Sequence, residues 1–132
     1  MRTLIVEDDF YSRKIMQTIL AEYGECDVAV NGEEAVEAFK QALDEGRPYS
    51  LICLDIMMPV MDGHQALQRI RDLEDERDLR YGKEVKVLMT TALGDIKNVN
   101  LAFFKGAATS YLVKPLQKEK LLQELRLMEL IE

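Results

Sequence analysis

Acidic side chains directly follow two short apolar runs of this sequence. Glu7, Asp8 and Asp9 come after the first run, and Asp55 comes after a later one. Carboxylates that lie close together raise one another's pKa unless a cation or a shared proton relieves their repulsion. Mg²⁺ prefers oxygen ligands and takes one or two carboxylates together with phosphate oxygens, which suits acids without imidazole or thiolate partners. Together the two groups predict a magnesium site, although each alone would more often be a helix cap.

A hydroxyl group and an ammonium group follow two further apolar runs. Thr91 belongs to a Thr-Thr-Ala sequence, and Lys114 precedes Pro115. A carboxylate that accepts a phosphoryl group needs cations to neutralise developing charge and donors for the phosphoryl oxygens. Lys114 and Thr91 can provide them. A lysine near a strand end is usually only solvated, so the prediction depends on all four positions together.

Five apolar runs predict the β-strands that would position these side chains. The runs before Asp55 and Thr90 are largely continuous in hydrophobicity, which is typical of parallel strands covered on both faces. The predicted strands are Thr3 to Val6, Asp27 to Val30, Leu51 to Leu54, Val85 to Met89 and Ser110 to Val113.

Amphipathic segments between these runs predict helices. Asn31 and Asp62 each have a Glu or Gln three residues later, as in capping boxes. Another helix is expected from about Asp95 to a stop at Gly106, and a last helix from about Gln117 to the end. The charge-dense stretch from Arg71 to Lys86 is interpreted as a solvated loop, and an exposed position is expected for His64 in the Asp62 helix, with no role.

Alternating strands and helices predict a doubly wound α/β fold with one parallel sheet and right-handed connections. Ligands of such sheets bind at the carboxyl ends of the strands. The acids, the threonine and the lysine all follow strands, so we expect them to meet at that edge.

Composition limits the class of protein. The 132 residues are 48% hydrophobic and carry a formal net charge of -7, so we expect one domain over residues 1–132. The negative charge disfavours direct binding to nucleic acid or anionic membranes. Two cysteines, no signal-peptide pattern and no long apolar segment predict a soluble cytoplasmic protein whose thiols are buried.

At these positions the sequence resembles the receiver domain of two-component response regulators, specifically the single-domain, chemotaxis-regulator type. The resemblance covers essentially the whole chain. It is carried by Glu7-Asp8, Thr91-Ala92, Lys114-Pro115 and above all by the run Asp-Ile-Met-Met-Pro-Val-Met-Asp-Gly that begins at Asp55. It implies a flavodoxin-like sandwich, (βα)₅, with five parallel strands and helices on both faces.

The resemblance also implies roles for individual residues. Asp55 would be the phosphoacceptor, and Lys114 would pair with the phosphoryl group, with a cis peptide bond to Pro115. Asp8 and Asp55 would bind Mg²⁺ directly. Glu7 would hold the ion directly or through water, and the backbone carbonyl of Met57 would complete the protein ligands.

Thr91 and Tyr111 would form the switch. Thr91 would move toward the phosphoryl oxygen and Tyr111 would turn inward, which would remodel the face made by the fourth helix, the fifth strand and the fifth helix. A histidine kinase or a histidine phosphotransfer protein would donate the phosphoryl group, and a downstream protein would bind the remodelled face.

Several alternatives remain open at this point. The chain could be a receiver cut from a longer regulator, or a pseudo-receiver that acts without phosphorylation. An aspartate-nucleophile phosphohydrolase is disfavoured because its second aspartate would fall at Met57. We therefore expect a phosphoacceptor switch and not an enzyme with turnover. Apolar residues on two stripes of the last helix, among them Leu127, Leu130 and Ile131, suggest an interface, possible in a homodimer.

Overall fold

The computed structural model describes residues 1–79, 82–92 and 108–132. In these ranges strands and helices alternate, and a short 3₁₀ turn follows the first helix. The helix predicted between about Asp95 and Gly106 lies outside the described residues, so α4 below is the last helix of the chain. The elements are β1 (Thr3–Val6), α1 (Phe10–Leu20), β2 (Cys26–Ala29), α2 (Gly32–Asp44), β3 (Leu51–Asp55), α3 (Gly63–Glu76), β4 (Lys86–Thr91), β5 (Ser110–Val113) and α4 (Lys118–Leu127).

The described strands form one parallel sheet in the order β2-β1-β3-β4-β5. This arrangement confirms the doubly wound α/β prediction, and every predicted strand is right to within two residues at each end. The strand order reverses between β1 and β3, and a crevice at such a reversal is the usual ligand site of these sheets. The sheet therefore directs attention to the carboxyl ends of β1 and β3.

Alternate residues of the strands enter two separate cores. Leu4, Ile52 and Val87 pack with α2 and α3 on one face, and the core there is centred on Phe39. The neighbouring residues along each strand, such as Cys53, pack with α1 and α4 on the other face. Burial of both faces explains why the strands are continuously apolar in sequence.

Side-chain caps begin three of the helices. Asp9 accepts a hydrogen bond from the backbone N–H of Ser12 and so caps α1. Asp62 and Gln65 form the predicted capping box at α3. Asn31 caps α2 as predicted, but the carboxylate of its partner Glu34 accepts from the backbone N–H of Val30, so the box there is incomplete.

Gly63 allows α3 to begin directly against the end of β3. Its N–H donates to the carbonyl of Ile56 at 2.8 Å. A Cβ at this position would lie 2.4 Å from the carbonyl oxygen of Asp55 and 2.8 Å from the Cα of Ile56. Because both obstacles are backbone atoms, any side chain would force the helix away from the strand. The Asp-Gly pair thus fixes where α3 meets β3.

The interpretation of Arg71 to Lys86 as a solvated loop is wrong for residues 71–76, whereas the described residues between α3 and β4 are mostly exposed and lie outside helices and strands. Helix α3 continues to Glu76, and Glu74 is buried with 2% of its surface exposed. One of its carboxylate oxygens pairs with the Arg71 guanidinium at 2.6 Å, and the other accepts from the backbone N–H of Val85 at 2.6 Å. The charged stretch therefore contains an ordered ion pair that joins α3 to the approach of β4.

The C-terminal segment exposes less apolar surface than predicted. Helix α4 ends at Leu127 and does not reach the end of the chain. Leu130 and Ile131 fold back against the core beneath α1 and α4, and only Leu127 of the three is largely exposed, at 70%. None of the helices in the described ranges has both the length and the apolar composition needed to cross a membrane.

Candidate functional site

The sheet brings the four predicted positions to one edge. Glu7 directly follows β1, Asp55 ends β3, Thr91 ends β4 and Lys114 directly follows β5. The strand register aligns them, because Asp55 pairs with Thr90 and because the backbone N–H of Lys114 donates to the carbonyl of Thr91 at 2.7 Å. The prediction that these side chains share the carboxyl edge is confirmed.

Three carboxylates form the centre of the site. One oxygen from each of Glu7, Asp8 and Asp55 lies within 4.8 Å of the other two. Glu7 and Asp55 are buried, with 1% and 5% of their surfaces exposed, whereas Asp8 is exposed. Asp9 instead caps α1.

The Lys114 ammonium connects two of these acids. Its Nζ lies 2.5 Å from Oε1 of Glu7 and 3.3 Å from Oδ2 of Asp55. The peptide bond from Lys114 to Pro115 is cis, as predicted. The sequence anticipated a lysine at this edge but not that Glu7 would be its nearer partner.

The two residues predicted to form the switch lie on the neighbouring strands β4 and β5. Thr91 is buried, and its hydroxyl donates to the backbone carbonyl of Ala92 at 3.1 Å. Tyr111 lies on β5 opposite Met89, and its side chain is 42% exposed. The backbone carbonyl of Met57 belongs to the loop after β3, and the Met57 side chain points into solvent with 57% exposure.

Burial and like charge shape the titration of the site. The pKa of Asp55 is raised from 3.8 to about 8, mainly by burial and also by the neighbouring Glu7, while Lys114 acts in the opposite direction. Burial also lowers the pKa of Lys114, but its contacts with Glu7 and Asp55 outweigh this and leave that pKa raised. A second cation would allow Asp55 to ionise at neutral pH.

The donor set fits Mg²⁺. The second carboxylate oxygen of Glu7, Oε2, is buried and has no hydrogen-bond partner among the described residues. A buried carboxylate oxygen without a partner is costly, and a hard cation held by oxygen atoms would satisfy it. The three clustered carboxylates therefore have both the charge and a vacant oxygen ligand for such an ion.

Arg13 is a supporting residue that the sequence did not reveal. Its guanidinium donates to the backbone carbonyl of Glu7 at 2.9 Å and so holds the turn that carries the acidic residues. The signal was available, since Arg13 lies one helical turn after the cap residue Asp9 and its side chain can reach back along α1.

Other predictions near the site have mixed outcomes. His64 was expected to be exposed, but it is half-buried at the start of α3, and its Nε2 is enclosed without a partner in the described part of the chain. Met58 and Met61, in the loop after β3, are partly buried and pack against the core. Cys53 is buried as predicted, whereas Cys26 is only partly buried.

Comparisons with known proteins agree with this architecture. A family model described as the response regulator receiver domain matches residues 3–126. The chemotaxis protein CheY of Treponema pallidum (strain Nichols) is 38% identical over 126 residues, which cover 94% of this chain and 79% of that protein.

Two solved structures are similar in fold and sequence. One is the CheX-CheY-BeF3-Mg+2 complex from Borrelia burgdorferi, with 31% identity, a TM-score of 0.80 and coverage of 100% of this chain and 90% of that chain. The other is the complex of the histidine phosphotransfer protein Ypd1 with the receiver domain of Ssk1 from Saccharomyces cerevisiae. It has 27% identity, a TM-score of 0.82 and coverage of 99% and 92%.

The sheet order, the acidic edge and the extent of the family match define a regulatory domain of two-component signalling. The chain belongs to the response regulator receiver domain family. Within that family it is CheY-like in sequence and in structure.

Proposed function

We propose that this receiver domain is a phosphorylation switch that accepts a phosphoryl group on Asp55 in the presence of Mg²⁺. The observation that carries the proposal is the position of the Asp55 carboxylate, which lies beside the Glu7 and Asp8 carboxylates and 3.3 Å from the Lys114 ammonium. The ion would be held by Glu7, Asp8, Asp55 and the backbone carbonyl of Met57. When bound, it neutralises charge on the carboxylates and on the incoming phosphoryl group.

The chain's own groups would carry out the transfer. A carboxylate oxygen of Asp55 forms a bond to phosphorus while the bond from phosphorus to the donor imidazole nitrogen breaks, and the electron pair of that bond stays with the imidazole. The Lys114 ammonium then pairs with a phosphoryl oxygen. Thr91 exchanges its hydrogen bond to the Ala92 carbonyl for one to another phosphoryl oxygen.

The same exchange would transmit the signal. Movement of Thr91 empties space near β5, and Tyr111, now 42% exposed, turns toward it. The face affected is made by the helix predicted from about Asp95 to Gly106, by β5 and by α4. We propose that a downstream protein binds this face in its changed form, and that a second copy of the chain can also bind it to form a homodimer.

We propose a histidine kinase or a histidine phosphotransfer protein as the phosphodonor. Support comes from the similarity to a receiver domain crystallised with the phosphotransfer protein Ypd1. The unpaired thiols Cys26 and Cys53 are consistent with action in the cytoplasm.

We further propose that the domain is a switch and not an enzyme with turnover. A phosphohydrolase of the aspartate-nucleophile class needs a second acid two residues after the nucleophile. That position is Met57, whose side chain cannot transfer a proton. Steady release of phosphate from a phosphate ester, measured over many turnovers, would contradict this part of the proposal.

Intact-mass spectrometry tests the phosphoacceptor. The protein is incubated with acetyl phosphate or phosphoramidate, with Mg²⁺ or with a chelator, and is compared with Asp55→Asn and with the matched control Asp9→Asn. We expect one phosphoryl adduct that needs Mg²⁺, forms on the unsubstituted protein and on Asp9→Asn, and is absent from Asp55→Asn. An unmodified protein under all conditions would instead favour a pseudo-receiver.

A further inference from the structure

The Lys114 ammonium is shared unequally between its two acidic partners. It lies 2.5 Å from the Glu7 carboxylate and 3.3 Å from the Asp55 carboxylate. The side chains of Glu7 and Asp55 are 2% and 7% exposed, and that of Lys114 is 25% exposed. Electrostatic interactions are strong where water is largely excluded. Lys114 is therefore the internal counter-ion of the acidic cluster, and Glu7 is its principal partner.

The Glu7 side chain spans the space between the end of β1 and Lys114. Glu7 directly follows β1, and its carboxylate reaches the ammonium of a residue that directly follows β5, although β3 and β4 lie between these strands. An aspartate at position 7 would be shorter by one methylene group. While Oε1 of Glu7 contacts the ammonium, Oε2 stays buried without a partner in the described residues. The same carboxylate thus serves the ammonium with one oxygen and offers the other to a cation.

We propose that the Glu7–Lys114 ion pair opposes the binding of divalent cations at this site, and that the length of residue 7 sets the strength of that opposition. The inference rests on the magnesium site of the proposed function. A divalent ion held by the three carboxylates, whose oxygens lie within 4.8 Å of one another, must lie close to the ammonium that already contacts two of them. The two cations repel each other and compete for the same negative charge.

This opposition couples metal binding to phosphorylation. A phosphoryl group on Asp55 would attract the Lys114 ammonium away from Glu7, so the Glu7 carboxylate would become fully available to the ion. Because coupling between two binding events is reciprocal, the bound ion would favour the arrangement in which Lys114 has left Glu7. Lys114 would thus keep divalent affinity low until the phosphoryl group arrives.

Mn²⁺, an oxygen-preferring ion with a direct spectroscopic signal, is a suitable probe. The full chain is titrated with Mn²⁺, and free Mn²⁺ is counted by electron paramagnetic resonance. We expect Lys114→Met to bind Mn²⁺ at least about tenfold more tightly than the unsubstituted protein. The matched control is Lys118→Met, which removes the same charge from an exposed position at the start of α4 and should change the affinity less than about twofold.

The contribution of residue 7 is tested by a double-mutant cycle. In a Glu7→Asp background, Lys114→Met should change Mn²⁺ affinity by no more than about threefold, because the shortened side chain no longer holds the ammonium. A second readout is the ¹⁵N-lysine NMR spectrum, in which the Lys114 ammonium signal is assigned by its loss in Lys114→Met. Added Mg²⁺ should shift this signal and speed its exchange with water.

The outcomes separate this inference from the proposed function. If the unsubstituted protein binds Mn²⁺ and Lys114→Met binds it equally or less tightly, the inference is wrong while the metal site stands. An equal effect of Lys114→Met in both backgrounds would overturn the role of Glu7. If none of these proteins binds Mn²⁺, both the inference and the proposed metal site fail.

Discussion

Two buried glutamates at opposite ends of the sheet have very different surroundings. Glu74 has both carboxylate oxygens engaged, one by the Arg71 guanidinium and one by the backbone N–H of Val85. Glu7 is equally buried, but only one of its oxygens has a partner in the described residues, and the Asp55 carboxyl lies close by. One end of the molecule satisfies its buried acid, and the other keeps an excess of negative charge.

The difference separates a structural role from a functional one. A buried charge with complete hydrogen bonding holds helices and strands in place. Its removal destabilises the fold because the buried groups that it paired with lose their partner. A cluster of incompletely paired acids destabilises the fold until a cation or a phosphoryl group enters. Glu74 therefore contributes to the stability of the domain, and Glu7 and Asp55 belong to the proposed switch.

The largest expected effect comes from breaking the satisfied end. Glu74→Ala removes the carboxylate that pairs with the Arg71 guanidinium and leaves the buried Val85 N–H without its acceptor, so we expect a loss of about 3 kcal/mol in the free energy of unfolding. Urea denaturation measures it. Glu76→Ala, at an exposed position of the same helix, is the control and should change stability by less than about 0.5 kcal/mol. Equal losses for the two variants would contradict the structural role of Glu74.

A smaller effect of opposite sign is expected at the unsatisfied end. The pKa of Asp55 is raised from 3.8 to about 8 in the folded chain, so the folded chain holds an extra proton between these values and loses stability as the pH rises through them. Asp55→Asn has no ionisable group at this position, so it should not lose stability in this way as the pH rises. In a chelator, we expect the free energy of unfolding of the variant, relative to that of the unsubstituted protein, to rise steadily between pH 4.5 and pH 8. A stability difference that does not vary with pH would mean that ionisation of Asp55 is not its cause.

The smallest expected effect is the stabilisation of the folded chain by Mg²⁺ bound at the acidic cluster. An ion that binds only the folded chain stabilises it by mass action, by about 1.4 kcal/mol at a concentration ten times its Kd. We expect Mg²⁺ to raise the melting temperature of the unsubstituted protein but hardly that of Asp8→Asn, which lacks an exposed ligand. Asp9→Asn keeps an oxygen that can accept from the Ser12 N–H and cap α1, and its response to Mg²⁺ should persist. Loss of the Mg²⁺ response in Asp9→Asn instead would mean that the ligand set is misassigned.

Much of the fold and of the site could be predicted because both follow from periodic or positional rules. Continuous apolar strands indicated a parallel sheet, and in such a sheet side chains that follow strands meet at one edge. That reasoning placed Glu7, Asp55, Thr91 and Lys114 together. It could not predict that the Lys114 ammonium lies nearer to Glu7 than to Asp55, since that preference depends on the reach and burial of the side chains.

The error at Glu74 has a different cause. Charged residues are rarely buried, so a charge-dense stretch favours a loop interpretation. Yet Leu67, Ile70 and Glu74 follow one another at helical spacing, and the first two are buried. The spacing would have predicted an inward position for Glu74. Composition alone could not predict that position, because a buried glutamate is stable only with its specific partners. The prediction of a large apolar surface at the C-terminus was too high for a similar reason, since Leu130 and Ile131 are partly buried against the core beyond the end of the helix.

The pairing of β1 with β3 also has a kinetic consequence. Thr3 pairs with Leu51, and α1, β2 and α2 lie between them in the chain. Contacts so distant in sequence form slowly, because the intervening chain must lose conformational entropy before strand pairing contributes favourable free energy. Glu7 and Asp55 can meet only when these strands have paired. We therefore expect the proposed ion site to be completed late in folding, so Mg²⁺ should slow unfolding far more than it speeds folding.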